Sequence, residues 1–334
     1  MVSSRIAIRL RPALLAAALA LAALSAPNVA NAQGIPPGKT IHMIVGFAPG
    51  GATDIVARVL AQKLSEHLGS QVIVENRSGG GGTIATNQVG RSDPDGTTLL
   101  MTPLANAVNE TLAAKTLNAR FGEQLTGVAP VAETANVLVA HPSLDVKSVA
   151  DLIALAKKSP PGEILAATSG RGTSTHLTTE LFNLMAGIKL GSVHYRGGGD
   201  ITKDLLSGQV KLMFATIAPV LELVKAGSLR GIATTGPKRD SALPDLPTVA
   251  ESGLPGFDVR LWLAILAPSG TPRPIIDQLA AATAKAQEAP EVKAALAAQG
   301  FNALSGTPDE FNAFYRSEVE KWRKVVEAAG LANQ

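Results

Sequence analysis

The sequence predicts an α/β fold with doubly wound sheets, in which parallel strands alternate with helices packed on both faces. Ile41, Met43, Ile44 and Val45 form an apolar run of the length of a buried strand. A stripe of apolar residues then recurs every four positions, at Val56, Leu60, Leu64 and Leu68, and predicts a helix with one buried face. The alternation continues, and a second such unit follows the long β-favouring stretch 128–140. Because alternating strands and helices form parallel sheets, we predict two α/β units.

The turn between the first strand and the first helix has the features of an anion-binding site. Pro49 fixes its own φ, while Gly50 and Gly51 tolerate positive φ and leave the backbone bare. The helix is expected to begin near Thr53, and its unpaired first-turn N–H groups and its dipole favour a carboxylate or a phosphate in front of them. Thr53 and Asp54 are also compatible with plain capping of a connecting turn.

The remaining elements follow from short β-favouring runs bounded by turn residues and from helix-capping signals. Strands are predicted at 71–76, 97–101, 128–140, 164–168, 193–195, 211–217, 230–235 and 261–267. Helices are predicted at 83–89, 177–185 and 201–206 and after Ser148. Three more are predicted at the C-terminal end: one from Thr271 with Pro272 at its first position, a middle one, and a last one at the capping box Thr307–Glu310. The apolar stripe of this last helix is interpreted as core packing.

Residues 1–32 are predicted to be a cleaved signal peptide. The segment begins with three arginines, continues with an apolar run at 13–24 that is too short to span a bilayer, and ends in the small-x-small motif Ala30-Asn31-Ala32. We therefore expect a mature chain that starts at Gln33 and is soluble in the periplasm.

The composition argues against several classes of partner and chemistry. The sequence has 30 basic and 27 acidic residues, and without the three arginines of the leader both counts are 27. This balance gives no indication of nucleic acid or an anionic membrane as a partner. The absence of cysteine excludes disulfides, thiol catalysis, thiolate metal sites and a lipid anchor.

Motifs for catalysis and cofactor binding are incomplete in this sequence. The five histidines form no His-x-x-x-His pair, and neither Gly-x-Ser-x-Gly nor a full dinucleotide or phosphate-loop motif occurs. We predict no catalytic residue, no metal and no cofactor. The open alternative is a secreted hydrolase or isomerase, with Asp54 as a general base or with Ser174 activated beside His176.

Four glycine-rich turns follow predicted strands, at 49–51, 79–82, 169–173 and 196–199. In an open α/β sheet the ligand crevice lies beyond the carboxyl ends of the strands, so these turns are expected at its edge. Backbone N–H groups, hydroxyls and helix starts would then line the cleft, which suits an anion without many basic side chains.

Several segments in the same order resemble one known family. They are Val45–Arg58, Val74–Gly82, Ser169–Leu177, Val193–Gly199, Leu205–Val210 and Leu246–Gly256. Over essentially the whole mature chain, the sequence resembles the Bug proteins, the periplasmic substrate-binding receptors of tripartite tricarboxylate transporters.

The resemblance implies a two-lobed, type II periplasmic binding protein fold with doubly wound sheets and a central cleft. Lobe 1 is expected at 33–135 plus 255–334 and lobe 2 at 136–254, with crossing hinge strands near 131–137 and 254–261. Such a receptor captures a small organic carboxylate and, as a monomer, delivers it to the membrane subunits of the transporter without doing chemistry. A ligand sensor with a signalling partner is the other alternative.

The candidate ligand-binding residues follow from the resemblance and from the glycine-rich turns. They are Phe47, Ala48, Pro49, Gly50, Gly51, Asp54, Gly80, Gly81, Thr102, Ser169, Gly170, Arg171, Thr173, Ser174, His176, Tyr195 and Gly197. Arg171 and Asp200 depart from the family pattern, in which uncharged residues are usual. Arg171 is expected to pair with a second acidic group of the ligand or, alternatively, to be a solvated loop residue.

Overall fold

A computed structural model of the chain describes residues 34–35, 38–170, 173–195 and 198–332. The predicted signal peptide and two predicted site residues, Arg171 and Gly197, lie outside the described residues. Among the helices that are described, none combines the length and the apolarity that crossing a bilayer requires.

The described part of the chain contains ten strands and ten helices. The strands are β1 Ile41–Val45, β2 Val72–Asn76, β3 Thr98–Pro103, β4 Leu125–Ala140, β5 Leu165–Thr168, β6 Gly191–His194, β7 Leu212–Thr216, β8 Arg230–Thr234, β9 Arg260–Pro268 and β10 Asn302–Ala303. The helices are α1 Ala52–Leu68, α2 Thr83–Val89, α3 Ala105–Leu112, α4 Val149–Lys158, α5 Ser174–Ala186, α6 Gly198–Ser207, α7 Ile217–Lys225, α8 Arg273–Gln287, α9 Pro290–Ala298 and α10 Pro308–Ala328. A 3₁₀ turn, Gly80–Gly82, precedes α2.

The strands pair in the order β2-β1-β3-β9-β4-β7-β5-β6, and β8 and β10 also pair with β4. The two ends of this order are parallel, with β1 between β2 and β3 and with β5 between β6 and β7. Strands β9 and β4 are antiparallel to their neighbours and join the two parallel groups. The predicted α/β class is confirmed, and the parallel groups carry the glycine-rich turns at their carboxyl ends.

The chain passes between the two parallel groups through β4 and again before β9. Strand β4 pairs with β9 as far as Ala135 and with β7 from Asn136 onward. The fully buried Thr235 joins the two passages: its hydroxyl accepts from the backbone N–H of Asn136 at 2.8 Å and donates to the carbonyl of Val259 at 2.7 Å. The segments near 131–137 and 254–261, for which the family resemblance implies hinge strands, therefore both contact this residue.

The helices bury the stripes that their spacing predicts. Val56, Leu60 and Leu64 of α1 are at most 1 % exposed, and Trp322 of α10 is fully buried. Leu68, in the last turn of α1, is only partly buried. The capping box predicted at Thr307 is present. The Thr307 hydroxyl accepts from the backbone N–H of Glu310, and the Glu310 carboxylate accepts from the backbone N–H of Thr307. Local spacing and capping rules were sufficient to place these helices.

Two helices were not predicted, and three begin elsewhere than predicted. Helix α7 was missed because it follows β7 with no turn residue between them, so that 211–217 has the composition of one strand. Helix α3 was missed because it follows Leu104, whose side chain cannot cap a helix. Helix α5 begins three residues before the predicted 177, at the hydroxyl-rich turn, and α6 begins three residues before the predicted 201. Pro272 is the N-cap of α8 and lies one position before its first helical residue.

Candidate functional site

The loop after β1 is held in place by Asp54, which lies in the first turn of α1 and is 3 % exposed. Its carboxylate accepts hydrogen bonds from the backbone N–H of Gly50 at 2.9 Å and from the side-chain amide of Asn76 at 2.8 Å. The same amide donates to the carbonyl of Phe47 at 3.1 Å. Arg58, one turn along α1, donates to both carboxylate oxygens, at 3.1 and 3.0 Å. These contacts tie the loop 47–51 to β2 and to α1.

The same contacts decide the ionisation of Asp54. Burial by itself raises its pKa, but the hydrogen bonds from Arg58, Gly50 and Asn76 and the charge of Arg58 outweigh burial, so the pKa lies below its ordinary value. A general base works best with a pKa near the working pH and must reach the substrate. Asp54 is ionised, buried and fully engaged, so its geometry is that of a residue that positions the loop.

The two glycines of this loop have different conformations. Gly50 has a φ of 81°, in the left-handed region that favours glycine, whereas Gly51 is extended, with φ −74° and ψ 161°. Gly51 is the N-cap of α1 and offers no side-chain cap. Within the described residues, the backbone N–H groups of Ala52 and Thr53 have no hydrogen-bond acceptor, so the start of α1 is open to an anion.

The loop after β5 ends in a second open helix start. Thr173 is the N-cap of α5, but its hydroxyl donates to the carbonyl of Gly170 at 2.6 Å and does not cap the helix. The hydroxyl of Thr175 accepts from the backbone N–H of Ser169 at 2.9 Å. The backbone N–H groups of Ser174 and Thr175 find no acceptor in the part of the chain that the structure describes.

Both helix starts border one cavity of about 230 Å³. Its hydroxyl-bearing residues are Thr53 at the start of α1 and Thr173 and Ser174 at the start of α5. The remaining wall residues are apolar: Phe47, Ala52, Pro103, Leu104, Ala105, Val108, Leu177, Leu261, Trp262, Leu263 and Phe301. The cavity therefore lies between the first and the third of the glycine-rich turns, where the sequence predicts the ligand.

Other predicted site residues lie off the cavity lining. Ala48, Pro49, Gly50 and Gly51 are exposed in the loop that carries Phe47. The contribution of these four residues to ligand binding stays a prediction, and it would be made through the backbone.

Thr102, Gly80, Gly81 and Tyr195 also do not line this cavity. Thr102 is fully buried and donates to the next carbonyl at 3.2 Å. The carbonyl of Gly81 accepts from the side chain of Asn109 at 2.9 Å, which anchors the 3₁₀ turn to α3. The Tyr195 hydroxyl donates to Asp204 at 2.8 Å. Their assignment to the ligand site is likewise still a prediction.

His176 lies in the first turn of α5 but is only 3 % exposed. Its ring packs edge-on against that of His194, with the centroids 4.7 Å apart, and its Nε2 lies 3.5 Å from the carboxylate of Glu180. Nδ1 of His194 in turn lies 2.7 Å from the hydroxyl of Thr168. The imidazole of His176 is therefore packed behind the helix start, whereas Ser174 lines the cavity.

Among the residues that the structure describes, no group of three or more histidine, cysteine, aspartate or glutamate side chains is arranged to hold a metal ion.

Apart from Phe47, the sequence did not identify the apolar wall of the cavity. Leu261 and Leu263 lie in a strand that the sequence predicts, but nothing local shows which ligand site a strand passes. Leu104 and Val108 are four residues apart on one side of α3. That spacing is the one signal that could have identified an apolar helical face directly after a strand.

A family search finds one matching family, described as tripartite tricarboxylate transporter family receptor, over residues 56–331. The chain is 37% identical to the protein BugT of Bordetella pertussis over 316 residues, which is 93% of this chain and 95% of BugT.

Solved structures agree with this match. The chain is similar to Rpa4515 of R. palustris with adipate, at 34% identity and a TM-score of 0.71, over 89% of this chain and 99% of that one. It is also similar to MatC of Rhodopseudomonas palustris with bound malate, at 30% identity and a TM-score of 0.68, over 87% of this chain and 99% of that one.

Proposed function

The chain belongs to the tripartite tricarboxylate transporter receptor family, and from that membership we propose that it captures a small organic carboxylate and delivers it to the membrane subunits of such a transporter. The family is one of periplasmic solute receptors, and two similar proteins were solved with adipate and with malate. The ligand of this chain is held in the cavity between the loops after β1 and β5.

The observation that carries this proposal is the convergence of two open helix starts on one cavity. The starts of α1 and α5 both line it, and the backbone N–H groups of Ala52, Thr53, Ser174 and Thr175 lack acceptors among the described residues. Each helix start carries a partial charge of roughly half a proton charge. A carboxylate between them accepts hydrogen bonds from both sides without needing a basic side chain.

Capture and release require the cleft to open and close. We assign lobe 1 to 33–135 plus 255–334 and lobe 2 to 136–254. The change of partner along β4 at Ala135 and Asn136, and the contacts of Thr235 with both passages, support a hinge at this position. The receptor acts as a monomer that meets the membrane subunits in its closed form.

Residues 1–32 direct export of the receptor to the periplasm and are then cleaved off. The arginine-rich start, the short apolar run and the Ala30-Asn31-Ala32 motif support this proposal. The intact mass of the protein recovered from the periplasm tests it, with a chain beginning at Gln33 as the expected product. A retained leader or a membrane-bound product would contradict it.

Thermal unfolding of the purified mature protein against a panel of mono-, di- and tricarboxylates tests the receptor proposal. A ligand at one hundred times its dissociation constant stabilises the protein by about 2.7 kcal/mol. The amide of each acid serves as the matched control, since it has the same shape without the charge. A shift with the acid alone supports the proposal, and equal shifts with acid and amide, or none with any acid, contradict it.

The same samples address the enzyme alternative. We propose that the bound carboxylate is returned unchanged, because Asp54 is engaged by Gly50, Asn76 and Arg58 and His176 is buried against His194. Incubation of the protein with each acid that binds, followed by mass analysis of the acid, tests this statement. A product of changed mass would overturn it.

A further inference from the structure

We infer that the body of the ligand, the part beyond its carboxylate, is an unsubstituted hydrocarbon chain or aromatic ring that carries no hydroxyl group. This inference names the substrate class of the proposed site and rests on the proposed function. Three observations carry it: the composition of the wall, the engagement of the polar groups behind the wall, and the size of the cavity.

The wall separates polar from apolar groups. Of the fourteen residues that line the cavity, eleven are apolar, and the three that carry a hydroxyl are Thr53, Thr173 and Ser174. All three hydroxyls belong to the helix starts that are assigned to the carboxylate. No described residue of the lining is ionisable or carries a side-chain amide, so the rest of the wall offers side chains that can only make apolar contacts.

Polar groups next to the wall are engaged elsewhere. The indole N–H of Trp262 donates to the buried Glu318 at 3.0 Å, so its ring meets the cavity without a free donor. On α3, the amide of Asn106 donates to Thr86 at 2.5 Å and that of Asn109 to the 3₁₀ turn. The polar residues of α3 therefore serve the fold, while its apolar residues line the cavity.

The size of the cavity limits the ligand to a small body. Drug-sized ligands occupy pockets of roughly 300–1,000 Å³, and this cavity has a volume of about 230 Å³. A short alkyl chain or a single ring attached to a carboxylate suits this space. The walls come from the first loop, the region of α3, α5 and β9, so such a body would be surrounded on several sides.

Two quantitative consequences follow for affinity. A hydroxyl on the body gives up water and meets no partner in the apolar wall, which weakens binding by about 10- to 100-fold relative to the same acid without it. Each added methylene that enters the wall gains affinity by about fourfold. A receptor that recognises a hydroxyl group of its ligand would instead bind the hydroxylated acid more tightly than the acid without it.

Calorimetry of the mature protein with matched acids tests the inference. The pairs are phenylacetate with mandelate and propionate with lactate, which differ by one hydroxyl each, and the series runs from acetate to hexanoate. We expect the acid without the hydroxyl to bind about tenfold tighter or more in each pair. We also expect affinity to rise along the series by about fourfold per methylene until the cavity is full.

A wall variant with a matched control completes the test. Leu261→Ala shortens a half-buried wall residue of β9, and Leu155→Ala shortens a partly buried residue of α4 that lies off the cavity. Leu261→Ala should weaken phenylacetate by about three- to tenfold and leave acetate nearly unchanged, because only the longer acid reaches the wall. Leu155→Ala should change neither affinity.

The outcomes separate this inference from the proposed function. If mandelate and lactate bind as tightly as their partners, or if only hydroxylated acids or tricarboxylates bind, the inference is overturned while carboxylate capture stands. Equal losses for acetate and phenylacetate in Leu261→Ala also overturn it. If no carboxylate binds at all, or if phenylacetamide binds as well as phenylacetate, the proposed function itself fails.

Discussion

Replacement of Asp54 by asparagine should weaken both the fold and ligand binding, because this carboxylate holds the first loop. One oxygen accepts from Gly50 and from Nε of Arg58, and the other accepts from Asn76 and from a terminal nitrogen of Arg58. Asparagine keeps one acceptor and places an NH₂ group where the other oxygen was. Whichever way the amide turns, one neutral donor and one guanidinium nitrogen lose their acceptor.

The magnitude follows from these two losses. A hydrogen bond to a buried charged group contributes about 1.5–3 kcal/mol. The contact with Arg58 contributes about 0–1 kcal/mol, since the arginine side chain is half exposed. We therefore expect Asp54→Asn to lower the free energy of unfolding by about 2–4 kcal/mol. A protein with a typical stability of about 5–15 kcal/mol remains folded after such a loss.

Urea unfolding and calorimetry with the tightest-binding acid measure the two effects of Asp54→Asn. The midpoint of unfolding should fall with an unchanged slope, and ligand affinity should fall because the loop 47–51 is no longer tied to Asn76. Asp151→Asn is the matched control: this exposed carboxylate lies on α4, away from the cavity, and accepts from the backbone N–H of Lys147 at 3.0 Å. It should leave affinity unchanged.

The pH dependence gives an independent check on the same residue. The pKa of Asp54 is lowered in the folded protein, so its contribution to stability is fully present above the unfolded pKa of about 3.9. That contribution is lost as the pH falls through the lower, folded pKa. The stability difference between wild type and Asp54→Asn should therefore be constant near neutral pH and shrink only in acid. A difference that grows in acid, or an unchanged midpoint with unchanged affinity, would refute the reasoning.

Three further predictions concern other positions. Gly50→Ala should destabilise the protein by about 1 kcal/mol and weaken ligand binding, because the φ of Gly50 is positive. Gly51→Ala should destabilise it much less, because Gly51 has an extended backbone. Equal losses of stability in urea unfolding would contradict this. Thr235→Val should lower the free energy of unfolding by about 2–4 kcal/mol, because the Thr235 hydroxyl bridges two backbone groups. Thr283→Val is the control and should lower it by less than about 1 kcal/mol, because the Thr283 hydroxyl only donates to a carbonyl within its own helix, α8. Urea unfolding of both variants measures the difference. Arg171→Gln tests whether the Arg171 guanidinium pairs with a second acidic group of the ligand. If it does, calorimetry should show about tenfold weaker binding of a dicarboxylate and unchanged binding of a matched monocarboxylate. Equal effects on both affinities would exclude that role.

The features that the sequence predicted correctly depend on local physics. The buried stripe of α1 depends on helical spacing, the start of α10 on a capping box, and the turn after β1 on the backbone freedom of Gly50. Each of these requires only a few consecutive residues to agree. The two glycine-rich turns that border the cavity were located from the sequence for the same reason.

The apolar wall of the cavity could not be predicted because it depends on the order of strands. Leu104 and Leu263 are far apart in the chain, and they line one cavity because β9 pairs with β3. Hydrophobic spacing shows that a strand has a buried face but not which neighbour it meets. The role of Asp54 was open for a related reason, since Asn76 reaches it only once β1 and β2 are paired.

One strand connects ligand contact with the proposed closure of the lobes. Strand β9 supplies Leu261, Trp262 and Leu263 to the cavity wall, and Val259, directly before it, accepts the hydrogen bond from Thr235 at the crossing. A single residue, Arg260, therefore separates the crossing from the wall. A rotation of the lobes about the crossing would move these side chains relative to α5. An apolar ligand body that packs against them therefore favours one arrangement of the lobes over others. We therefore propose that the charge of the carboxylate selects the ligand, and that packing of its hydrocarbon body against the wall favours the closed arrangement of the lobes.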